Sequence, residues 1–195
     1  FKRVENGSYQ WAGYNGVVHL FTCFWGVNSL KEVSETIKKL VPGMKKVDPN
    51  MVNYYYAVKA TIFNLTDVVS DPIELSDSNW PNIEKVLEIS REQNDMLTLL
   101  VNATCRLSLA NWYSDIETAL ILAMEADTYV QGVPGVYIDP VFHFHQSIAF
   151  SQGYNSVDSE KQIHFLAKLE ANIDKFNLWA SHGSETYTHQ ALLLR

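Results

Sequence analysis

A chain of 195 residues with 47% apolar and 19% charged side chains has the make-up of a globular domain. It is long enough to bury about 70% of the surface its unfolded form exposes. Nine Gly and six Pro exclude collagen-like and linker-like classes, and there is no uncharged apolar run of about 18 residues to cross a membrane. Through residue 47, seven Lys or Arg face three Glu, a balance of +4, so the rest carries −11 to reach the overall −7. That acidic remainder disfavours nucleic acid as a partner. The chain opens on Phe1 inside amphipathic sequence and reads as a segment of a longer, cytoplasmic protein.

Apolar residues recur at helical spacing along nearly the whole chain, and strand-like alternation is scarce. The first predicted helix carries Trp11, Tyr14, Val18, Phe21 and Trp25 on one face and ends at Gly26. Ser29 and Glu32 form a capping box, the start of a helix with Leu30, Val33, Ile37 and Leu40 that is expected to stop near Pro42-Gly43. Asp48-Pro49 is a second start signal, followed by the stripe Met51, Tyr55, Val58, Ile62 and Leu65. Residues 67–81, rich in Ser, Asp and Pro, read as an internal loop. Pro81 then opens a short helix through Glu92.

The next helix aligns Met96, Leu100, Ala103, Leu107 and Ala110 and breaks at Trp112-Tyr113. Ser114 and Glu117 read as another capping box, for a helix with Ile116, Ala119, Ala123, Ala126 and Val130 that Gly132 closes. Its small residues allow a neighbouring helix to come close. Tyr137, Val141, Phe144 and Ile148 mark the following helix, with Pro140 in its first turns. A long helix with Leu166, Leu169, Ile173, Phe176 and Ala180 stops near Gly183, and a last partial helix runs from Ser184 to the end. The expectation is eight or nine helices and no sheet. Short turns at Gly26–Asn28, Tyr113–Ser114 and Gly153–Ser156 join antiparallel hairpins whose flanks resemble one another loosely. The whole of 1–195 therefore reads as one all-α domain, a right-handed stack of helix hairpins of the tetratricopeptide type, though without a strict 34-residue period.

Catalytic signatures are absent: no nucleophile elbow, no phosphate loop, no Gly-rich dinucleotide turn and no H-E-x-x-H. His143 and His145 form H-x-H, which on a helix points the rings about 200° apart, poorly placed to share one ion. They are nevertheless the centre of the alternative reading, a small all-α enzyme or metal-binding protein. His19 and Cys23, four apart on a helix, lack a second ligand pair and read as buried on the hairpin face. Cys23 and Cys105 read as buried free thiols, and no cofactor is expected. The sequons at Asn6, Asn64 and Asn102 are about as many as chance gives an Asn-rich chain. Trp11, Trp25, Trp80, Trp112 and Trp179 make aromatics plentiful, and three consecutive tyrosines, Tyr54, Tyr55 and Tyr56, cannot all face the core. At least one of the three is expected to be accessible as a binding anchor. Lys38, Lys39, Lys45 and Lys46 are candidates for an acidic partner or a solvated helix end.

Several segments carry a family resemblance. Gly7-Ser-Tyr-Gln-Trp-Ala-Gly-Tyr14, Phe24-Trp-Gly-Val-Asn-Ser-Leu30, Phe142-His-Phe-His-Gln-Ser147, Leu178-Trp-Ala180 with Asn172, and Tyr187-Thr-His189 belong to it. Together they resemble the tetratricopeptide-like helical region of very large signalling kinases. In those proteins a Ser/Thr-kinase-like domain and an ATPase module precede it, and a GAF domain and a histidine kinase follow. His143, His145 and Gln146 depart from the Tyr, Tyr and Asp common there. The resemblance implies a non-catalytic protein–protein interaction and scaffolding module that relays a signal between ATPase and sensor or kinase domains. It implies a protein partner, either the flanking domains or a signalling protein.

Overall fold

The structure, a computed structural model, describes residues 9–26, 28–47, 49–75 and 83–195. Among these residues the helical spacing becomes nine α-helices and no strand. They are α1 (Tyr9–Phe24), α2 (Leu30–Val47), α3 (Val52–Thr66), α4 (Ile83–Glu92) and α5 (Met96–Trp112). Then follow α6 (Ile116–Val130), α7 (Ile138–Gly153), α8 (Ser159–His182) and α9 (Ser184–Leu193). Single 3-10 turns at Pro49–Met51 and Tyr154–Ser156 precede α3 and follow α7. No helix of the described residues is long and apolar enough to cross a membrane. The predicted loop is irregular over 67–75, and its remainder, with Trp80 and Pro81, lies outside the described residues, as does the Asp48 start signal.

Helix starts follow local chemistry. At α2 the box closes as expected: the Ser29 N–H donates to Glu32 Oε2 at 2.8 Å, and the Glu32 N–H donates to Ser29 Oγ at 3.3 Å. These bonds from Ser29 hold the Glu32 carboxyl below its usual range. At α6 the cap sits one residue later than the sequence suggests. Asp115, not Ser114, accepts from the Thr118 N–H at 3.1 Å and from its hydroxyl at 2.9 Å. Ser114 instead takes a left-handed conformation, φ 60°, which lets the Asp115 N–H reach back to Ala110 O and close α5. The junction before α5 repeats the device: Asn94 at φ 53°, the Asp95 N–H on Ser90 O, and Asp95 capping Thr98. Each turn thus ends one helix and starts the next within three residues.

Other expectations change. Helix α2 does not stop at Pro42-Gly43 but runs through Pro42 to Val47. A proline inside a helix costs about 3 kcal/mol, and the extra turn seats Met44, fully buried beside Gly13 and Gly16 of α1. Gly132 is not the left-handed cap after α6; that conformation falls on Gly135, φ 77°. The stripe read on α1 is only half buried. Phe21 is in the core, but Trp11, Tyr14 and Val18 are 65%, 44% and 45% exposed. The buried side runs through Gly13, Gly16, Val17 and Leu20, where a Cβ on Gly16 would come within 2.7 Å of the Tyr55 hydroxyl. On α8 the buried residues are Phe165, Asn172 and Phe176 rather than the Leu166–Ile173 run. Phe165 stacks on Phe150 of α7, centroids 4.2 Å apart, and that contact fixes which face turns inward.

Helices adjacent in sequence pack on each other from α1 to α3 and from α4 to α9. A second series joins α1 to α3, α3 to α5 and α5 to α7. One continuous apolar core follows, from Val17 on α1 to Phe165 on α8. The Ala119, Ala123 and Ala126 stripe is buried as predicted, and α6 packs there between α5 and α7. Asn64 and Asn102 are buried, so those two sequons are closed to glycosylation in the folded chain.

The Ser114–Asp115 turn gives a paired expectation. Ser114→Gly should raise the unfolding free energy by about 0.5–1 kcal/mol, because glycine adopts φ 60° without strain. Asp115→Ala should lower it by about 1 kcal/mol through loss of the cap. Urea titration of both variants measures the two signs.

Candidate functional site

Helix α7 packs on α5, α6 and α8, yet His143, His145, Gln146 and Ser147 on it are all buried. Buried polar groups need partners, and each finds its own neighbour. His145 turns to α5, where Asn111 Nδ2 lies 3.2 Å from its Nδ1 and also donates to its carbonyl at 2.9 Å. Gln146 Nε2 donates to Ala123 O and, at 3.1 Å, to Asp127 Oδ1 of α6. Asn172 of α8 donates to Gln146 Oε1 and Ser147 Oγ, each at 3.0 Å. Lys168 closes the chain at 2.6 Å on Asp127 Oδ2. Burial alone would push the Asp127 carboxyl up, but the bonds from Lys168 and Gln146 outweigh it and hold it below its usual range.

His143 faces α8, away from His145. Its Nε2 stands 2.7 Å from Lys175 Nζ and 3.0 Å from Asp139 Oδ1. One ring nitrogen cannot accept from an ammonium and donate to a carboxylate at once. His143 Nδ1 is buried without a hydrogen-bond partner of its own. The H-x-H pair therefore serves two different helix contacts. Among the described residues no group of three His, Cys, Asp or Glu is gathered as a metal set.

Above this polar seam runs a groove with two adjoining cavities. The first, about 470 Å³, lies among Tyr14 and Val18 of α1, Tyr137 and Asp139, Trp179 of α8 and Tyr187 of α9. The second, about 680 Å³, is bounded by Trp25, Trp112, Phe144, His145, Glu185 and Gln190. Tyr137, Pro140 and Tyr187 belong to both. Trp179 and Tyr187 lie 5.8 Å apart between ring centroids, and Trp112 meets the His145 ring edge-on at 5.6 Å. Burial first, and then the Asp139 charge, raise the Tyr187 hydroxyl above its ordinary value. Burial and then Tyr187 do the same to Tyr137. Both phenols are neutral at physiological pH.

The interaction residues expected from sequence, the tyrosine run and the four lysines, lie elsewhere, on α2 and α3, and none of them lines either cavity, whereas His145 of the alternative reading borders the second. Tyr55 is fully buried and its hydroxyl has no hydrogen-bond partner, while burial pushes its pKa upward. Tyr54 and Tyr56 are half-buried, Tyr54 edge-on to Phe21 and Tyr56 beneath Lys45 Nζ at 5.8 Å. Lys38, Lys39, Lys45 and Lys46 are exposed. Cys23 and Cys105 are free and buried, with burial holding the Cys105 thiol up at about 12. Cys23 Sγ lies 3.7 Å from His19 Nδ1, but His19 itself is exposed, contrary to the burial expected for both. No family model, no curated protein and no solved structure matches the chain.

Two expectations concern the seam. Asn172→Ala removes the donor to Gln146 and Ser147 and should cost about 2–3 kcal/mol of unfolding free energy in a urea titration. His145 is the acid-sensitive group, since burial pushes its pKa down to about 4 from 6.5. Below pH 6.5 the unfolded chain takes up a proton that the folded chain refuses. Stability should therefore fall by roughly 3 kcal/mol as pH drops from 6.5 to 4. His145→Phe should flatten that part of the pH–stability curve.

Proposed function

We propose that this chain is a non-catalytic protein–protein interaction and scaffolding module within the cytoplasmic part of a multidomain signalling kinase. The observation that carries the reading is the groove: two adjoining cavities with aromatic walls, one rim bearing Trp112, 48% exposed, and the other Tyr14, 44% exposed. Exposed aromatic rings around a concavity are what a partner's anchor residues use. The contact series from α1 through α3 and α5 to α7 supports a right-handed stack of hairpins related to tetratricopeptide repeats, with the groove walled by α1, α5, α7, α8 and α9. The resemblance of the sequence to the helical region between ATPase and GAF–histidine kinase domains supports the parent and the partners. In this reading the module relays nucleotide state to kinase output by binding its neighbours.

Calorimetric titration of the chain against the separately expressed ATPase and GAF–kinase domains, with and without ATP, tests the proposal. Saturable binding that Trp112→Ala weakens at least tenfold is the expected result. Absence of heat with either domain, or binding indifferent to Trp112→Ala, overturns it.

A further inference from the structure

The first cavity has a composition that selects its occupant. Its walls include Tyr14, Tyr137, Trp179 and Tyr187, and Asp139 is the charged side chain among its lining residues. Asp139 keeps about a fifth of its side chain open (20%), while its Oδ1 is buried 3.0 Å from His143 Nε2. An apolar guest would desolvate that carboxylate without replacing the lost water, which is costly. An anion would meet a like charge. A cation gains twice, from the carboxylate and from the negative faces of the rings.

We propose that this cavity is a cage for an arginine side chain of a partner peptide, with Asp139 as the counter-charge and Trp179, Tyr187 and Tyr137 as the stacking walls. Arginine is favoured over lysine because its flat, weakly hydrated guanidinium stacks on rings and pairs in a fork with a carboxylate. A volume near 470 Å³ suits one long side chain. The occupant belongs to a peptide because the cavity shares Tyr137, Pro140 and Tyr187 with its larger neighbour, whose Trp25, Trp112 and Phe144 suit an apolar side chain of the same segment. Glu185 in that neighbour and the −11 balance beyond residue 47 draw a basic segment in. Lys175 opposes the cage: its ammonium approaches the same carboxylate from behind, through His143. The inference rests on the groove being a protein-binding surface and names what it reads.

The test uses the full chain and N-acetyl-arginine methylamide, followed through the Trp179 indole resonance, which Trp179→Phe assigns. Saturable millimolar binding is expected, with the neutral isostere N-acetyl-citrulline methylamide at least tenfold weaker. Asp139→Asn should weaken binding at least tenfold, Tyr187→Ala several-fold, and Lys175→Met should tighten it. Should Asp139→Asn fail to fold, the citrulline, Tyr187→Ala and Lys175→Met arms decide alone. The tripeptide acetyl-Arg-Gly-Trp-amide should bind at least tenfold tighter than the single residue. Equal affinity for citrulline, or shifts remote from Trp179, overturns the cage. Equal affinity of tripeptide and single residue overturns the peptide as occupant. Loss of the cage while the neighbouring domains still bind through Trp112 would sink this inference and leave the interaction module standing. The reverse pattern would sink the module reading alone.

Discussion

The need to satisfy polar side chains on a buried helix governs this fold. Helix α7 is covered by α5, α6 and α8, and it carries His143, His145, Gln146 and Ser147 into the interior, each at most 5% exposed. Apolar packing would accept several registers at similar cost, but hydrogen bonds do not. Asn111, Asp127 and Asn172 must each stand where their partners on α7 are, to within a few tenths of an ångström. Sliding α8 by one turn, about 5.4 Å, would break every bond to Asn172 and expose no water to replace them. Each orphaned group would then cost about 1–3 kcal/mol. Burial supplies the adhesion, and the seam supplies the register.

The groove inherits that register. Asp139, His143 and Gln146 form one stripe of α7, and Asn172, Lys175 and Trp179 form one stripe of α8, spaced by three or four residues. Where the stripes are sealed they exchange hydrogen bonds. Where they reach the surface, Asp139 and Trp179 become cavity walls. Trp179 leans on the His143 ring, 6.3 Å between centroids, and on Phe176 at 5.0 Å, so its position is set by the same contacts that align the helices. Tyr187 from α9 and Tyr14 from α1 complete the wall from elements far apart in sequence.

Legibility in the sequence followed the range of the forces involved. Capping at Ser29–Glu32 is local and was readable, as were the helices and their short turns. Ser114 was misread by one position because its left-handed conformation is set by closure of α5, while the cap itself belongs to Asp115. Periodicity announces a helix but not which apolar face turns inward. On α1, aromatic residues imitate a core stripe while glycines mark the true contact side, and Trp11 and Tyr14 are left outside. Pro42 was overruled by the burial of Met44 beyond it. Local spacing correctly separated the rings of His143 and His145, but their partners, 34 residues back and 32 residues on, leave no local trace. The groove was illegible for that reason. The tyrosine run and the lysine pairs are conspicuous in sequence, whereas Tyr14, Trp112, Tyr137 and Tyr187 are ordinary until packing gathers them.

The seam and the groove meet at His143. Its Nε2 has Lys175 at 2.7 Å and Asp139 at 3.0 Å, and one ring nitrogen cannot accept from an ammonium and donate to a carboxylate at once. Asp139 is therefore held between two environments: it stands beside the His143 ring inside the seam and lines the first cavity outside it. Trp179 leans on the same ring and lines the same cavity. A change at His143 thus reaches two walls of that cavity together, while the second cavity touches the seam through His145.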